Sequence, residues 1–188
     1  MNFLFLCDEL SGYVHSCVVR LADSVPNARI TLVAKPGSSI APFSFAPHPS
    51  IELLDRSKLS RSDFRRLADQ RPVFTYVSGW GDSDYRWTGR RLRGTCPVAM
   101  GIDNPWNGSA RQIVLTRFLS GRIRRFASHA WVAGMYQYEY VRRLGFPRDR
   151  ILTGLYTADN HRGESKRTDG SAGRAGKPKT LQIGRAHV

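Results

Sequence analysis

FLFLCDELSGYVHSCVVRLADS, residues 3–24, decides how this chain folds. FLFLC is apolar at every position, as a strand buried on both faces must be. DELSGY then breaks the run with two carboxylates, a serine and a glycine. Val14, Val18 and Leu21 recur at helical spacing through VHSCVVRLADS. The unit is a buried strand, a polar loop and an amphipathic helix, and RITLVA (29–34) supplies the next strand.

The same alternation continues along the chain. IELL (51–54), PVFTYV (72–77), PVAM (97–100), HAWV (129–132) and RILTGL (150–155) read as strands. SDFRRLADQ, YRWTGRRLRG, RQIVLTRFLSGRIRRFAS and GMYQYEYVRRLG read as helices between them, with Gly145 just past the last. In the third of these, Leu115, Phe118, Leu119, Ile123 and Phe126 form one apolar stripe, with Arg117 and Arg124 roughly opposite. Residues 36–50, rich in proline, glycine and serine, read as a loop. The pattern predicts an α/β, Rossmann-like, mostly parallel sheet with helices on both faces.

Such sheets bind ligands beyond the carboxyl ends of their strands. Three polar-aromatic loops follow strands here: DELSGY (8–13), SGWGDSD (78–84) and GIDNPWNG (101–108). They should gather on one edge. In the first, Ser11, Gly12 and Tyr13 either meet a ligand at the free helix N–H groups or simply cap the helix. In the second, Gly79 and Trp80 suggest a tight turn presenting an indole, while Asp82 is either a catalytic candidate or a cap. In the third, Asp103 and Asn104 can bond hydroxyls with Trp106 as a platform, or the stretch is an Asx turn before a cap at Ser109. Asp103 is the second catalytic candidate. Gln137, near Gly134 at a strand end, completes the substrate-binding candidates.

The chain of 188 residues has a formal charge of +14. Residues 161–188 carry 7 basic and 2 acidic groups, HRGESKRTDGSAGRAGKPK (161–179) has no apolar residue except alanine, and the stretch reads as a basic, flexible linker or tail beyond a domain of residues 1–160. The terminal QIGRAHV back-translates to a common sequencing-adapter read, so residues 183–188 read either as a frame that ran into adapter DNA or as following a genuine strand start, KTLQIGR. A basic surface favours anionic partners. The arginines on 111–125 read as a solvated helix face or as a patch for phosphate or anionic lipid. A basic α/β domain that binds nucleic acid without catalysis is the alternative, but no helix-turn-helix, zinc-finger or RNP pattern accompanies the charge.

Other chemistries lack their signatures. Cys7, Cys17 and Cys96 are scattered, with no CxxC pair, and read as reduced thiols in a cytoplasmic protein. The five histidines lack metal-ligand spacing, so no metal is expected. There is no GxGxxG fingerprint and no GxSxG elbow. The opening MNFLFLCDEL is too short for a signal peptide or a membrane span.

WVAGMYQYEYVRRLGFPRDRILTGLYTADN (131–160) resembles the end of the first domain of GT-B glycosyltransferases of the group-1 or family-4 type. The resemblance rests on Trp131–Gly134, Leu144–Pro147 and Gly154–Asp159, and extends over residues 1–160. It implies an acceptor-side domain facing a donor-binding domain across a cleft. The donor-binding half is expected to be missing here, so the chain alone should transfer no sugar. It further implies a nucleotide-sugar donor, a glycan or lipid-linked acceptor, no cofactor, and a cytoplasmic location with peripheral contact to an anionic membrane. Relatives of this type place a histidine in the loop after the fourth strand, and SGWGDSD has none.

Overall fold

The computed structural model describes residues 1–35 and 46–155, all within one compact unit, Met1–Ala158. The basic tail, Asp159 and most of the 36–50 loop lie outside the described residues. Seven strands form one sheet: β1 (Asn2–Glu9), β2 (Arg29–Lys35), β3 (Ile51–Asp55), β4 (Phe74–Ser78), β5 (Val98–Ile102), β6 (His129–Val132) and β7 (Ile151–Thr153). Their order is β3-β2-β1-β4-β5-β6-β7, and every pairing is parallel. The chain has a Rossmann-like α/β fold.

Burial follows strand position. Leu4, Phe5, Leu6 and Cys7 on central β1 are each at most 4% exposed. Leu53 on edge strand β3 and Leu152 on edge strand β7 are 52% and 41% exposed. The order starts at β1, runs outward to β3, then returns to the other side of β1. Because parallel crossovers are right-handed, this reversal sends helices to opposite faces. The core divides accordingly. Val18 and Ala22 of α1 (Gly12–Ser24) pack with Phe5, Leu32 and Tyr76. The other face carries α2 (Arg61–Asp69), α3 (Ser83–Leu92), α4 (Ala110–Arg124) and α5 (Met135–Arg143). Phe64, Tyr85, Ile123 and Val141 from these helices join Leu4, Val77 and Met100 of the sheet.

Three local expectations are corrected. The fourth strand starts at Phe74, two residues later than the apolar run: Pro72 has no N–H to donate, and the Val73 amide makes a single bond to the Asn2 carbonyl at 2.8 Å before the regular pairing begins. Helix α4 stops at Arg124, and Phe126 and Ala127, each 1% exposed, turn inward as coil. Phe118 is not in the buried stripe of α4: it is 71% exposed. The helix is turned so that Thr116 and Ile123 face the core. A wheel through Leu115, Leu119 and Ile123 alone leaves Phe118 at the stripe's outer margin, and packing puts that margin in solvent.

Candidate functional site

The carboxyl ends of β1, β4 and β5 open into a cleft of about 840 Å3. It lies where the strand order reverses, between β1 and β4. One wall comes from the loop after β1, with Asp8, Glu9, Ser11 and Tyr13. The opposite wall comes from Gly79, Trp80 and Gly81 after β4 and from Asp103 and Asn104 after β5. Lys35, at the end of β2, closes one side, and Tyr76 and Gly101 help form the floor. The three loops singled out in the sequence therefore do meet.

Each loop is held from behind. The Asp8 amide donates to Ser78 Oγ at 2.6 Å, joining the ends of β1 and β4. Ser11 caps α1 by accepting from the Val14 amide at 3.3 Å, so it has a structural bond and also lines the cleft. Gly79 takes φ +78°, a left-handed turn that suits glycine, and the indole of Trp80 follows it. Arg86 Nη1 donates to the Gly81 carbonyl at 2.9 Å and also to that of Trp80, fixing this loop to α3. Tyr85 donates its hydroxyl to the Cys7 carbonyl at 2.9 Å, tying α3 to the end of β1.

Of the two roles its sequence position allows, Asp82 takes the cap and not the place in the cleft. Its carboxylate caps α3, accepting from the Asp84 and Tyr85 amides at 2.7 and 3.2 Å. Arg56, in a 3-10 turn (Arg56–Lys58), holds it through Nε at 2.8 Å, and Asp82 does not line the cleft. Burial raises the Asp82 pKa, but the Arg56 bond and the two amides outweigh this and leave it below the usual carboxylate range.

GIDNPWNG divides at Pro105. Asp103 and Asn104 line the cleft. Beyond them the stretch is a cap: the Asn107 amide donates to Gln112 Oε1 at 2.8 Å, and the Ser109 amide to Asn107 Oδ1 at 3.0 Å. Trp106 turns away from the cleft, its ring 5.8 Å from that of Tyr140 and 4.7 Å from the Arg143 guanidinium. Gln137 acts behind the wall, donating to the Asp103 carbonyl at 2.9 Å. Gly12, Trp106 and Gln137 are thus outside the lining, while Ser11, Tyr13, Gly79, Trp80, Asp103 and Asn104 are in it.

Sequence reasoning passed over Asp8, Glu9, Lys35 and Tyr76. The first two stand directly after β1, and Lys35 ends the strand beside it, so topology alone could have found them. Together they change the electrostatics. Asp8, Glu9 and Asp103 face one cation, Lys35, whose Nζ lies 3.6 Å from Asp8 Oδ1. In a chain of formal charge +14 the cleft is locally acidic. Carboxylates there accept hydrogen bonds from hydroxyls and repel phosphate. The aromatic side chains of Trp80 and Tyr13 offer apolar faces to a ring.

The floor is not nucleophilic. Burial, with the Asp8 charge adding to it, pushes the Cys7 thiol up to about 12, so it stays protonated at neutral pH. Among the described residues no group of three His, Cys, Asp or Glu side chains could hold a metal ion. A carboxylate-lined, aromatic-walled cleft can bind a polyhydroxylated molecule and accept a proton from one of its hydroxyls. Compared with known proteins, the sequence matches no family model and no curated relative.

Proposed function

We propose that this chain forms the acceptor side of a glycosyltransferase, its cleft holding a hydroxyl-rich glycan that receives a sugar from a nucleotide-sugar donor. The observation that carries this reading is the pairing of Asp8, Glu9 and Asp103 with Trp80 and Tyr13 around one cleft at the reversal of strand order. Carboxylates bond the hydroxyls of a sugar, and aromatic faces cover its C–H surface. The acidic lining disfavours the donor's diphosphate, which in this reading is held outside this cleft. In this reading Asp103 or Asp8, both in the cleft lining, takes the acceptor hydroxyl proton as that oxygen bonds the donor's anomeric carbon and the bond to the departing nucleotide diphosphate breaks.

The test is calorimetric titration of the purified chain with neutral oligosaccharides and, separately, with nucleotide diphosphates. The reading expects an oligosaccharide to bind and Trp80→Ala to weaken it about tenfold. Tight binding of a nucleotide diphosphate in this cleft, with none of any glycan, would sink it. So would sugar transfer catalysed by the chain alone.

A further inference from the structure

Carboxylates are scarce in this chain, and most of them are paired. The sequence has 29 lysines and arginines against 15 acidic residues, so an acid left without a base stands out. Asp82 and Asp84 share Arg56, Asp69 meets Arg91 at 2.8 Å, and Glu139 meets Arg143. Among the described residues Glu9, Glu52, Asp103 and Asp149 lack a salt-bridge partner. Glu9 and Asp103 come from different loops, both are exposed, and both line the same cleft. The third carboxylate of the lining, Asp8, has Lys35 Nζ at 3.6 Å. Its Oδ2 also leans to the opposite wall, 3.8 Å from where a side chain at Gly81 would begin. Lys35 offsets Asp8, and the charges of Glu9 and Asp103 are left over.

A guest that offers only hydroxyls leaves those two charges uncompensated. A guest that carries a cation answers them, and it does so in a concave site where the field of like charges adds up. The walls act in the same sense, because the faces of Trp80 and Tyr13 attract an ammonium group as well as the C–H surface of a ring.

The geometry points to an amino sugar as the guest of this cleft: a glycan whose free, protonated amine is drawn by Glu9 and Asp103 while its ring lies against Trp80 or Tyr13. This inference rests on the cleft being the acceptor site, and it narrows the acceptor from glycans in general to those that carry an unacylated amine.

The experiment is calorimetric titration of the full chain with two tetrasaccharides, β-1,4-linked glucosamine and its fully N-acetylated counterpart. The two share a backbone and differ in the charge on nitrogen. At about pH 6, where an amine like the α-amino group keeps its proton, the amine form should bind about tenfold more tightly. Added salt should narrow that gap. Glu9→Gln with Asp103→Asn keeps an oxygen acceptor at each position but removes the charge, and should bring the amine form down to the affinity of the acetylated one. Glu52→Gln changes the net charge outside the cleft and should leave the gap as it is. Equal affinity of the parent for both sugars would overturn this inference and leave the glycan reading standing. A preference that survives the carboxamide pair would show that the acetyl group is excluded by size, and a preference lost equally in Glu52→Gln would belong to the charge of the whole chain. Either result sinks the proposal. Spermidine bound as tightly as the amino sugar would make the cleft a plain cation site and overturn it too. If neither tetrasaccharide binds, the glycan reading falls with it.

Discussion

Arg56 Nε lies 2.8 Å from Asp82 Oδ2, while the same guanidinium reaches Asp84 Oδ2 through Nη2 at 2.6 Å. One side chain therefore restrains both carboxylates at the start of α3, directly after the Trp80 loop. The groups are largely shielded, at 17% exposed for Arg56 and 9% for Asp82. Removing one partner of such a pair leaves the other charge poorly solvated. Arg56→Ala should cost about 3 kcal/mol of stability, measured by urea unfolding. A loss below about 1 kcal/mol would show that water replaces the guanidinium without strain.

Gly101 admits the Tyr76 ring. A Cβ at position 101 would stand 2.8 Å from Tyr76 Cζ and closer still to the hydroxyl oxygen. The ring cannot easily retreat, because it is buried and packed against Phe5 and Trp131, each with its ring centroid 5.8 Å away. Gly101→Ala should destabilise by about 2 kcal/mol. Tyr76→Phe in the same chain removes the nearest atom and should recover part of that loss. Thermal unfolding of the two single variants and the double variant checks the coupling.

Trp106 and Asp103 sit three residues apart and should respond differently. Trp106→Ala removes packing against Tyr140 and Arg143, and should lower stability by about 2 kcal/mol with little change in glycan affinity. Asp103→Ala should leave unfolding nearly unchanged and weaken glycan binding severalfold, since its carboxylate faces the cleft. Unfolding curves and titrations of the two variants, compared side by side, decide the assignment.

Acid should act in two stages. Burial, then the Arg150 charge, lowers the His129 pKa from its ordinary 6.5. The unfolded chain therefore takes up this proton first. The stability it contributes is complete above about pH 6.5 and is lost as pH falls through the folded value. His129→Gln should flatten that stage. Asp82 is also held below its ordinary 3.8, so its contribution persists above that pH and disappears only below it. Asp55 and Asp63 are lowered as well, mainly by hydrogen bonds from Ser57 and Ser60, so Asp82→Asn should reduce the second slope without removing it. The urea midpoint measured across pH reads both stages.

The fold was legible because its strands are buried on both faces. Runs such as FLFLC and RITLVA have few other uses, and the glycines and caps between them mark the loops. The edge through which the loops converge followed from parallel topology. Individual roles were less legible. Asp82 and Asp103 look alike in sequence, each an acid in a polar loop after a strand, yet Arg56 reaches only the first. That contact joins residues 26 apart, and no local pattern announces it. Phe118 failed for a related reason. Its period fits the apolar stripe, but the rotation of α4 is set by the whole sheet face it meets.

The bond from the Asp8 amide to Ser78 Oγ has a mechanical consequence. It fastens two neighbouring strands at the point where their loops leave the sheet. The loop after β1 and the loop after β4, which line the cleft together, therefore share one anchor. A disturbance at either wall is passed to the other through that bond, so the two walls act as one piece.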